Sequence, residues 1–428
     1  MDFNRKTAYE VLMDVETNQS YSNLALNNFI EKNQPENPAF VRELVYGVLE
    51  NRILLDYYLD ALIPSGIKKV KSRELTLLRM GIYQIMSMES VPDYAAIHES
   101  VQLARKLCRG REGFINGVLR GFQRKASGVS LPSKEADPVR YLSVKYSAVP
   151  WIVELWIKAY GLEKTEKLLE ASNGRPLLSL RVNLKKGSRE ELIEKLSAEG
   201  FQVEAGRHSN RVILVTGKGS GILEHEFFRN GWFSVQDEAS VMAADTVGAK
   251  PGYCVVDVCA APGGKTLAMA ETMEEQGTVN AFDIYPHKLT LIEEQAKRVG
   301  IGIVKTDCRD GRTLCEELKG KADCVLADVP CSGLGVIRRK PEIKYKEDVD
   351  LPELVQRQKE ILENASKYVK PGGTLVYSTC TVNPDENELQ VKDFLKNHEE
   401  FTLESMNQLM PGEETDGFFI SKMIRRMN

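Results

Sequence analysis

The sequence lacks the features that mark membrane, secreted and zinc-binding proteins. It contains no run of eighteen apolar residues, so we expect no membrane-spanning helix. Its first fourteen residues, MDFNRKTAYEVLMD, mix charged with apolar residues and lack the apolar core of a signal peptide, which favours a cytoplasmic protein. No Cys-x-x-Cys pair occurs among its eight cysteines, and there are only five histidines. We therefore expect free thiols rather than disulfides, and no metal site.

The chain has 428 residues, 42% of them hydrophobic and 28% charged, which is ordinary for a globular protein of two or three domains. The net charge of −4 leaves a nucleic-acid partner open, because the distribution of charge decides such binding. The basic residues near the N-terminus form two clusters. The first basic cluster is Arg105, Lys106, Arg109, Arg111, Arg120, Arg124 and Lys125, and the second is Lys68, Lys69, Lys71 and Arg73. Each cluster is either a solvated helix face or a phosphate-binding surface, and the runs alone leave both open.

The pattern of apolar residues divides the chain into three parts. Residues 1–127 repeat apolar positions at spacings of three and four, with prolines between the runs, which predicts an all-helical bundle. A stretch rich in serine, proline and charge, 126–138, is the predicted linker. Residues 139–233 begin with further helices and then change to a small α+β pattern, with predicted strands in LLSLRVN, FQVEAG and RVILVTG.

From residue 234 to residue 428, apolar strands alternate with helices, which predicts a doubly wound α/β domain with a parallel sheet. The predicted strands are CVVDV, TVNAFDI, IGIVKTD, DCVLAD and TLVYST. Ligands of such sheets bind beyond the carboxyl ends of the strands. The residues at those ends, which we expect to converge on one crevice, are Asp257, Asp283, Asp307, Asp328 and Cys380.

A loop with two glycines follows the first of these strands in VVDVCAAPGGKTLAMA. Gly263 and Gly264 let a ligand approach the backbone, and the helix after them offers free N–H groups at its start. Asp283 ends the next strand, nineteen residues after Gly264, where a carboxylate can accept both hydroxyls of a ribose. The loop therefore predicts a cofactor that contains a nucleoside.

Three cofactors compete for a loop of this kind. GGKT imitates a phosphate-binding loop, but Cys259 stands where that loop needs its first glycine, and Pro262 removes a backbone donor. The Gly-x-Gly-x-x-Gly pattern of a nicotinamide enzyme is absent. S-adenosyl-L-methionine carries a sulfonium cation and no phosphate, so a crevice of carboxylates suits it. We therefore expect S-adenosylmethionine.

Two cysteines follow two of the predicted strands, Cys331 in ADVPCSG and Cys380 in VYSTCT. Carbon 5 of a pyrimidine becomes nucleophilic when a thiolate adds to carbon 6, so a cysteine beside a methyl donor favours C5 methylation of cytosine. The ring also needs an acid near N3, and Asp328 stands three residues before Cys331. On this argument either cysteine could be the nucleophile.

Four segments resemble the RNA cytosine-5 methyltransferases, and they are DVCAAPGGKT, DVPCSGLGVIRRKPEIK, GGTLVYSTCTVNPDENE and DGFF. The helical N-terminus resembles the NusB-like RNA-binding domain of the bacterial 16S ribosomal RNA enzyme in that family, and SLRVN resembles part of an RRM-like segment. The resemblance implies a Rossmann-like class I methyltransferase domain that methylates carbon 5 of a cytosine in 16S ribosomal RNA. We also expect the chain to act as a monomer.

The resemblance implies roles for single residues as well. Cys380 is the nucleophile, Cys331 assists release of the methylated base, and Asp328 lies against the cofactor. The acid after the third strand is Asp307 or Asp310, and Asp307 is favoured because it directly ends the apolar run. The remaining cofactor-binding positions are Asp283 and the loop residues Cys259, Ala260, Ala261, Pro262, Gly263, Gly264 and Lys265.

Two other functions stay open at this point. One is an RNA-binding assembly factor with an inactive methyltransferase domain, and retention of Cys331, Cys380 and Asp328 argues against it. The other is a nucleotide hydrolase that uses GGKT and CVLAD, and Pro262 argues against it. If the substrate is RNA, the basic clusters are better explained as a phosphate-binding surface, and the target base must be unpaired or extruded.

Overall fold

The computed structural model describes residues 2–18, 20–125, 128–217, 219, 221–412 and 415–427. Two residues of the predicted linker, 126 and 127, lie outside the described residues. The chain forms two compact units, of which the first comprises Met1–Asn173 and Ile337–Asp348, and the second comprises Gly174–Val336 and Val349–Asn428. The chain therefore enters the first unit twice. A division into domains near residues 127, 139 and 233 stays a prediction.

The first unit is helical, which confirms the prediction of an all-helical N-terminal part. Its described α-helices are α1 (Phe3–Asn18), α2 (Ser22–Asn33), α3 (Pro38–Glu50), α4 (Arg52–Leu62), α5 (Ser72–Ser87), α6 (Asp93–Leu107), α7 (Glu112–Lys125), α8 (Pro138–Tyr146), α9 (Pro150–Tyr160) and α10 (Leu162–Ala171). The side chain of Asn37 accepts the Phe40 N–H at 3.0 Å, and Pro38 occupies the first position of α3, as at many helix starts. Within the described residues, no helix is both long and apolar enough to cross a bilayer.

The segment 337–348 follows the Pro-Cys motif directly, yet it belongs to the helical unit. It contains two short 3₁₀ helices, Ile337–Arg339 and Pro341–Tyr345. Lys344 in the second of these is only 2% exposed, and burial lowers its pKa to about 7. Its Nζ donates to three oxygens, which are the carbonyls of Glu50 (2.7 Å) and Tyr146 (2.8 Å) and Oδ1 of Asn173 (2.6 Å). The segment is therefore part of the core of the helical unit.

The second unit begins with a small antiparallel sheet. Its strands are β1 (Leu178–Val182), β2 (Val203–Ala205), β3 (Val212–Val215) and β4 (Phe233–Val235), in the order β2-β3-β1-β4. Two helices accompany it, α11 (Arg189–Ala198) and α12 (Glu226–Arg229). Ser188 caps α11 by accepting the Glu191 N–H at 3.1 Å, as a serine before a helix predicts. The predicted small α+β segment is confirmed.

A seven-stranded sheet forms the rest of the second unit. Its strands are β5 (Cys254–Asp257), β6 (Thr278–Asp283), β7 (Val304–Cys308), β8 (Ala322–Asp328), β9 (Val369–Thr379), β10 (Phe401–Leu409) and β11 (Phe418–Arg425). The spatial order is β10-β11-β9-β8-β5-β6-β7. All pairs among β5 to β9 are parallel, which confirms the five predicted strands, whereas β11 pairs antiparallel with both β9 and β10. The sheet is therefore mixed and not wholly parallel, because a hairpin returns the chain along its edge.

Helices cover both faces of this sheet, as continuous apolar strands predict. The helices are α13 (Glu238–Val247), α14 (Gly264–Glu271), α15 (Pro286–Val299), α16 (Leu351–Ser366) and α17 (Glu388–Asn397). Neighbouring strand residues point to opposite faces. Val255 packs in one cluster with residues of α13, α14 and α15, while Val256 packs in another with residues of α16 and α17. The doubly wound α/β architecture is confirmed, and it brings the carboxyl ends of β5 to β9 to one edge.

Candidate active site at the carboxyl ends of the strands

The loop between β5 and α14 is tied at both ends to one aspartate. Asp257, the last residue of β5, is 1% exposed. Its carboxylate accepts the hydroxyl of Thr266 at 2.7 Å and the N–H of Cys259 at 3.3 Å. Burial raises the pKa of Asp257 to about 7. Asp257 therefore fixes the conformation of the loop from its buried side. A ligand in the crevice would contact the loop rather than Asp257.

Gly263 gives this loop its tight turn. Its φ of 104° lies in the region that favours glycine, and a Cβ there would come within 3.2 Å of the Ile292 side chain. The Gly263 N–H donates to the carbonyl of Ala260 at 2.8 Å, and α14 begins at the next residue. The start of α14 therefore faces the end of the sheet with free backbone N–H groups.

Two arginines of the small α+β segment hold α14. Arg181 on β1 is 0% exposed and donates to the carbonyl of Gly264 at 2.5 Å. It also donates to both carboxylate oxygens of Glu271, the last residue of α14, at 3.1 and 2.8 Å. Arg211 donates to Glu271 at 2.6 Å and to the carbonyl of Ala268 at 3.2 Å. The small sheet therefore sets the position of the helix that carries the loop.

Lys265, in the first turn of α14, pairs with an aspartate at the end of β8. Its Nζ lies 2.7 Å from Asp328 Oδ2 and 4.9 Å from the centre of the Phe418 ring. The other oxygen of Asp328 accepts the Ser378 hydroxyl at 2.8 Å. Burial would lower the pKa of Lys265, but the charge and hydrogen bond of Asp328, together with the charge of Cys380, raise it overall. Lys265 therefore remains an ammonium beside the cysteines.

The two predicted cysteines meet at this edge of the sheet. Cys331 follows the end of β8 and Cys380 follows β9, and their Sγ atoms lie 3.3 Å apart. Both thiols are half-buried. The contact with Cys380 and burial raise the pKa of Cys331 well above its usual value. The structure thus places two thiols of unequal surroundings against the Lys265–Asp328 pair.

The turn after Cys331 and the DGFF motif support the Cys380 backbone. The Gly335 N–H donates to the carbonyl of Cys380 at 3.0 Å, and the Gly335 carbonyl accepts the Gly417 N–H at 2.8 Å. A Cβ on Gly335 would come within 2.0 Å of the Gly417 carbonyl oxygen, so only glycine fits there. These contacts explain why glycines follow Cys331 and precede Phe418 in the sequence.

Most of the predicted acidic residues also gather here. Burial raises the pKa of Cys259, and so do four nearby carboxylates, which are Asp257, Asp328, Asp283 and Asp310. Asp307 is not among them. It lies within β7, and its carboxylate pairs with Arg309 at 2.9 Å. Three of the four aspartates expected to converge therefore act on the cofactor loop, together with Asp310, which was not among them.

Asp283 and Asp310 differ in their partners. Asp283 ends β6 and accepts the Tyr285 N–H at 3.0 Å, and no cationic side chain of the described residues forms an ion pair with it. Asp310 follows β7 and pairs with Arg312 at 2.7 Å. The next residue, Gly311, packs so closely on the cofactor loop that a Cβ would lie 3.0 Å from the Val258 carbonyl. Asp283 therefore keeps acceptor capacity for a ligand.

Sequence reasoning missed three residues of this site, which are Arg181, Glu386 and Phe418. Each lies in a motif that the sequence does show, in SLRVN, NPDENE and DGFF respectively. Arg181 interrupts a strand whose neighbours Leu180 and Val182 are fully buried. A charged residue is rarely buried in an apolar strand unless it has polar partners. The position of an arginine within this apolar strand is therefore the signal that could have identified Arg181.

The residues present suit S-adenosylmethionine better than a nucleotide phosphate. The glycine turn and the start of α14 offer backbone donors, and Asp283 offers an acceptor for ribose hydroxyls. The lysine of GGKT points at Asp328, so its charge is already engaged. Carboxylates around the loop would repel a triphosphate and attract a sulfonium. The donor set therefore fits the cofactor that the sequence predicts.

Models of known families match three successive parts of the chain. Residues 3–124 match the NusB family, and residues 150–220 match the ferredoxin-like domain of the Methyltr_RsmF/B-like family. Residues 245–424 match the 16S rRNA methyltransferase RsmB/F family. The first range covers α1 to α7, the second covers α9 and α10 together with β1 to β3, and the third covers the seven-stranded sheet.

Relatives match along the whole length. The chain is 40% identical over 449 aligned positions to the probable ribosomal RNA small subunit methyltransferase B of Bacillus subtilis (strain 168), with 99% of this chain and 98% of that protein covered. It is 35% identical to the ribosomal RNA small subunit methyltransferase B of Escherichia coli (strain SE11), with 96% of each covered. The solved structure of PH0851 matches with a TM-score of 0.84 at 27% identity, over 99% of this chain and 98% of that one. The chain belongs to the 16S rRNA methyltransferase RsmB/F family, whose members are S-adenosylmethionine-dependent RNA methyltransferases.

Proposed function

We propose that this chain transfers a methyl group from S-adenosylmethionine to carbon 5 of a cytosine in 16S ribosomal RNA, through a bond between Cys380 and carbon 6 of the base. The observation that carries the proposal is the contact of two thiols, 3.3 Å apart, beside the Lys265–Asp328 ion pair. Neither a nucleotide hydrolase nor an RNA-binding factor needs this arrangement. Covalent activation of a pyrimidine does need a thiolate and an acid within reach of one ring.

S-adenosylmethionine supplies a methyl group on a sulfonium, which is open to attack by a carbon nucleophile. The loop 259–265 and the start of α14 would hold it through backbone groups, and Asp283 would accept its ribose hydroxyls. For the acid after the third strand we propose Asp310 in place of Asp307. The charge of Asp310 acts on Cys259 in the loop, whereas Asp307 lies within β7.

The covalent step begins at Cys380. Its thiol loses a proton, and the Lys265 ammonium, whose charge interacts with Cys380, stabilises the thiolate. The thiolate forms a bond to carbon 6, and the electron pair of the C5–C6 double bond takes the methyl group at carbon 5. A water beside Cys331 then accepts the proton on carbon 5, the electron pair of that C–H bond restores the C5–C6 double bond, and the bond between carbon 6 and Cys380 breaks to release the thiolate.

Asp328 and Cys331 act on the same ring. The Asp328 carboxylate accepts from Lys265 and Ser378 and keeps lone pairs that can accept an N–H from a ring protonated at N3. This hydrogen bond would stabilise the electron-rich ring that forms when Cys380 adds. Cys331 touches Cys380 and therefore lies beside the same C5–C6 bond, where its thiol orders the water that takes the carbon-5 proton.

The helical unit would add affinity for RNA. All residues of both basic clusters are exposed. Among the described residues, no carboxylate forms an ion pair with any member of the first cluster except Arg111, which pairs with Glu74. Exposed cations without acidic partners are available to phosphates, and they contribute binding that weakens with salt. Action as a monomer in the cytoplasm stays a prediction.

The direct test is methyl transfer itself. The chain is incubated with S-adenosylmethionine labelled in its methyl group and with 16S ribosomal RNA, both naked and in partly assembled subunits, and the nucleosides are then separated. We expect the label in 5-methylcytidine with one of these substrates. Label in another nucleoside, or none with either substrate, would overturn the proposal. Binding of ATP in preference to S-adenosylmethionine would instead favour a nucleotide hydrolase.

A further inference from the structure

Glu386 is a buried carboxylate close to both cysteines. It lies in the 3₁₀ helix Pro384–Glu386, between β9 and α17, and it is 0% exposed. No Lys, Arg or His side chain in the described part of the chain forms an ion pair with it. An anion without a cationic partner is costly to bury unless several hydrogen bonds stabilise it. Its surroundings therefore have to supply those bonds.

Hydrogen-bond donors surround both oxygens of Glu386. Oε1 accepts from the Ser332 hydroxyl at 2.5 Å, from Asn383 Nδ2 at 3.1 Å and from the Thr381 hydroxyl at 3.4 Å. Oε2 accepts the Ser332 N–H at 2.8 Å and Gln358 Nε2 at 3.0 Å. Each oxygen thus faces at least one N–H group, which can only donate. A carboxylate can accept all five of these hydrogen bonds, which offset the cost of its burial without a cation.

The orientation of the two amide donors is independently fixed. Gln358 Nε2 also donates to the carbonyl of Pro330 at 3.0 Å, and Asn383 Oδ1 accepts the Asp385 N–H at 3.2 Å. Neither amide can turn its oxygen toward Glu386 without losing these bonds. The carbonyl of Glu386 itself accepts the buried Tyr377 hydroxyl at 2.6 Å, which fixes its backbone. The carboxylate is therefore held in one position.

The donors connect this carboxylate to both cysteines. Ser332 directly follows Cys331, and Thr381 directly follows Cys380. The two hydroxyls also lie 2.8 Å from each other. One carboxylate therefore joins the loop after β8 to the loop after β9, next to the two sulfurs that lie 3.3 Å apart.

A negative side chain, Glu386, acts on Cys331, and a positive one, Lys265, acts on Cys380. Contact with Cys380 and burial raise the pKa of Cys331, and the negative charge of Glu386 adds to this effect. The positive charge of Lys265 interacts with Cys380 instead. The other groups that face Cys331 are the buried Tyr377 hydroxyl and the Gly333 N–H. A single proton between the two sulfurs is therefore more stable on Cys331.

We propose that Glu386 is a positioning residue for methyl transfer, which holds the two cysteine loops in contact and keeps the shared proton on Cys331, so that Cys380 is the thiolate. The proposal rests on the role of Cys380 given under the proposed function. It explains how one of two touching thiols becomes the nucleophile. Glu386 does not touch the base or the cofactor in this role.

The test compares Glu386→Gln with Asp385→Asn. Asp385 is exposed in the same short helix, so its variant removes the same charge one residue away. Each protein is treated with iodoacetamide between pH 6 and pH 9, and peptide mass spectrometry reports the rates at Cys331 and Cys380. Methyl transfer gives kcat, and calorimetry gives the affinity for S-adenosylmethionine.

We expect wild type and Asp385→Asn to react faster at Cys380. Glu386→Gln should lose most of that preference, with kcat lower by about a hundredfold and cofactor affinity unchanged, since misplaced reacting groups cost about that much. A wild type without methyl transfer would overturn the proposed function and the positioning role together. An active wild type whose Glu386→Gln variant keeps both kcat and the preference would overturn the positioning role alone.

Thermal unfolding shows whether Glu386→Gln is folded. If it is not, Glu386→Asp replaces it, because this variant keeps the anion and shortens its arm by one methylene. The proposal is then supported if kcat falls while iodoacetamide still reacts faster at Cys380. The negative charge remains in this variant, but the two cysteine loops are held less tightly. An unchanged kcat in Glu386→Asp overturns the proposal.

Discussion

Arg181 on β1 donates a hydrogen bond of 2.5 Å to the carbonyl of Gly264, the first residue of α14. The same guanidinium forms a bidentate ion pair with Glu271 at the other end of that helix. Hydrogen bonds that involve a charged group contribute about 1.5–3 kcal/mol each, so the helix cannot tilt without a large loss. The cofactor loop therefore takes its position from a strand of the small sheet.

Substitution of Arg181 by lysine should weaken cofactor binding and leave the protein folded. Arg181→Lys keeps the charge opposite Glu271 but cannot reach Glu271 and Gly264 together, because it lacks the planar fork of arginine. We expect a folded protein that binds S-adenosylmethionine about tenfold more weakly, as the loss of about one hydrogen bond implies. Calorimetry measures this, and Arg229→Lys, an exposed position in the same unit, is the control. Equal affinities in the two variants would contradict the role of Arg181.

Three aspartates give a graded test of the cofactor site. Asp283→Ala should weaken S-adenosylmethionine binding by roughly 1.5–3 kcal/mol, because the ribose hydroxyls lose a charged acceptor. Asp310→Asn should weaken it measurably, because Asp310 acts on the cofactor loop, and Asp307→Asn should leave it unchanged, because Asp307 lies within β7. The three dissociation constants are compared by calorimetry at one salt concentration. A stronger effect of Asp307→Asn than of Asp310→Asn would restore the choice that the sequence alone favours.

Substitution of each of the two cysteines should stop the reaction at a different step. Cys380→Ala should abolish both methylation and any covalent adduct, because no thiolate remains to add to carbon 6. Cys331→Ala should instead leave the protein bound to methylated RNA, seen as a band that survives denaturing gel electrophoresis. Normal turnover in Cys331→Ala would make Cys331 a structural residue. A trapped band in Cys380→Ala, and none in Cys331→Ala, would reverse the two roles.

Asp257 predicts a specific dependence of stability on pH. Its pKa rises from 3.8 to about 7 on folding, a difference of about 4 kcal/mol at about 1.4 kcal/mol per unit. A group with a raised pKa favours the folded state below pH 3.8, and that contribution is lost as the pH rises to about 7. Asp257→Asn can still accept the Cys259 N–H and stays neutral, so it should lack this loss.

The measurement is thermal unfolding of wild type and Asp257→Asn between pH 4 and pH 8. The difference in unfolding temperature should grow in favour of the variant up to about pH 7 and then level off. Because all other titrating groups are common to the two proteins, the difference isolates this carboxyl group. A constant difference across the range would show that Asp257 is ionised throughout.

The basic surface is best tested by substitution. The triple variant Arg105→Gln, Arg109→Gln and Arg124→Gln should bind 16S ribosomal RNA more weakly and with a shallower salt dependence, by about 0.7 per lost phosphate contact for single-stranded RNA. Lys158→Gln with Lys164→Gln, exposed positions outside both basic clusters, is the control. Equal affinities and equal salt slopes for the triple variant and wild type would restore the solvated-face interpretation.

Much of the site could be predicted because apolar strands end in polar residues. Runs such as CVLAD identify β8 from composition alone, and the parallel order then brings Asp328, Cys331 and Cys380 to one edge. The strand β10 could not be found in this way. Most of its residues are exposed or half-buried, so FTLESMNQL carries little apolar signal.

The pattern of apolar residues could not predict which charged residues are buried or which distant residues they contact. Arg181 and Glu386 are charged, and periodicity predicts charged residues to be exposed unless their partners are known. In the sequence, Lys344 is one of several cations in the basic stretch RRKPEIK, which predicts an exposed side chain. Its acceptors, however, lie 294, 198 and 171 residues away in the chain. Only the tertiary structure shows that these charges have specific acceptors.

The return of segment 337–348 to the helical unit has a consequence for synthesis on the ribosome. Domains usually fold as units, the N-terminal one first, as the chain emerges. Here the acceptors of Lys344 on Glu50 and Tyr146 are made long before the lysine itself. The helical unit therefore cannot complete its core until residue 348 has left the exit tunnel, and by then β5 to β8 have also been made. The helical unit therefore completes its folding only after much of the second unit has been made, although most of the helical unit precedes it in the chain.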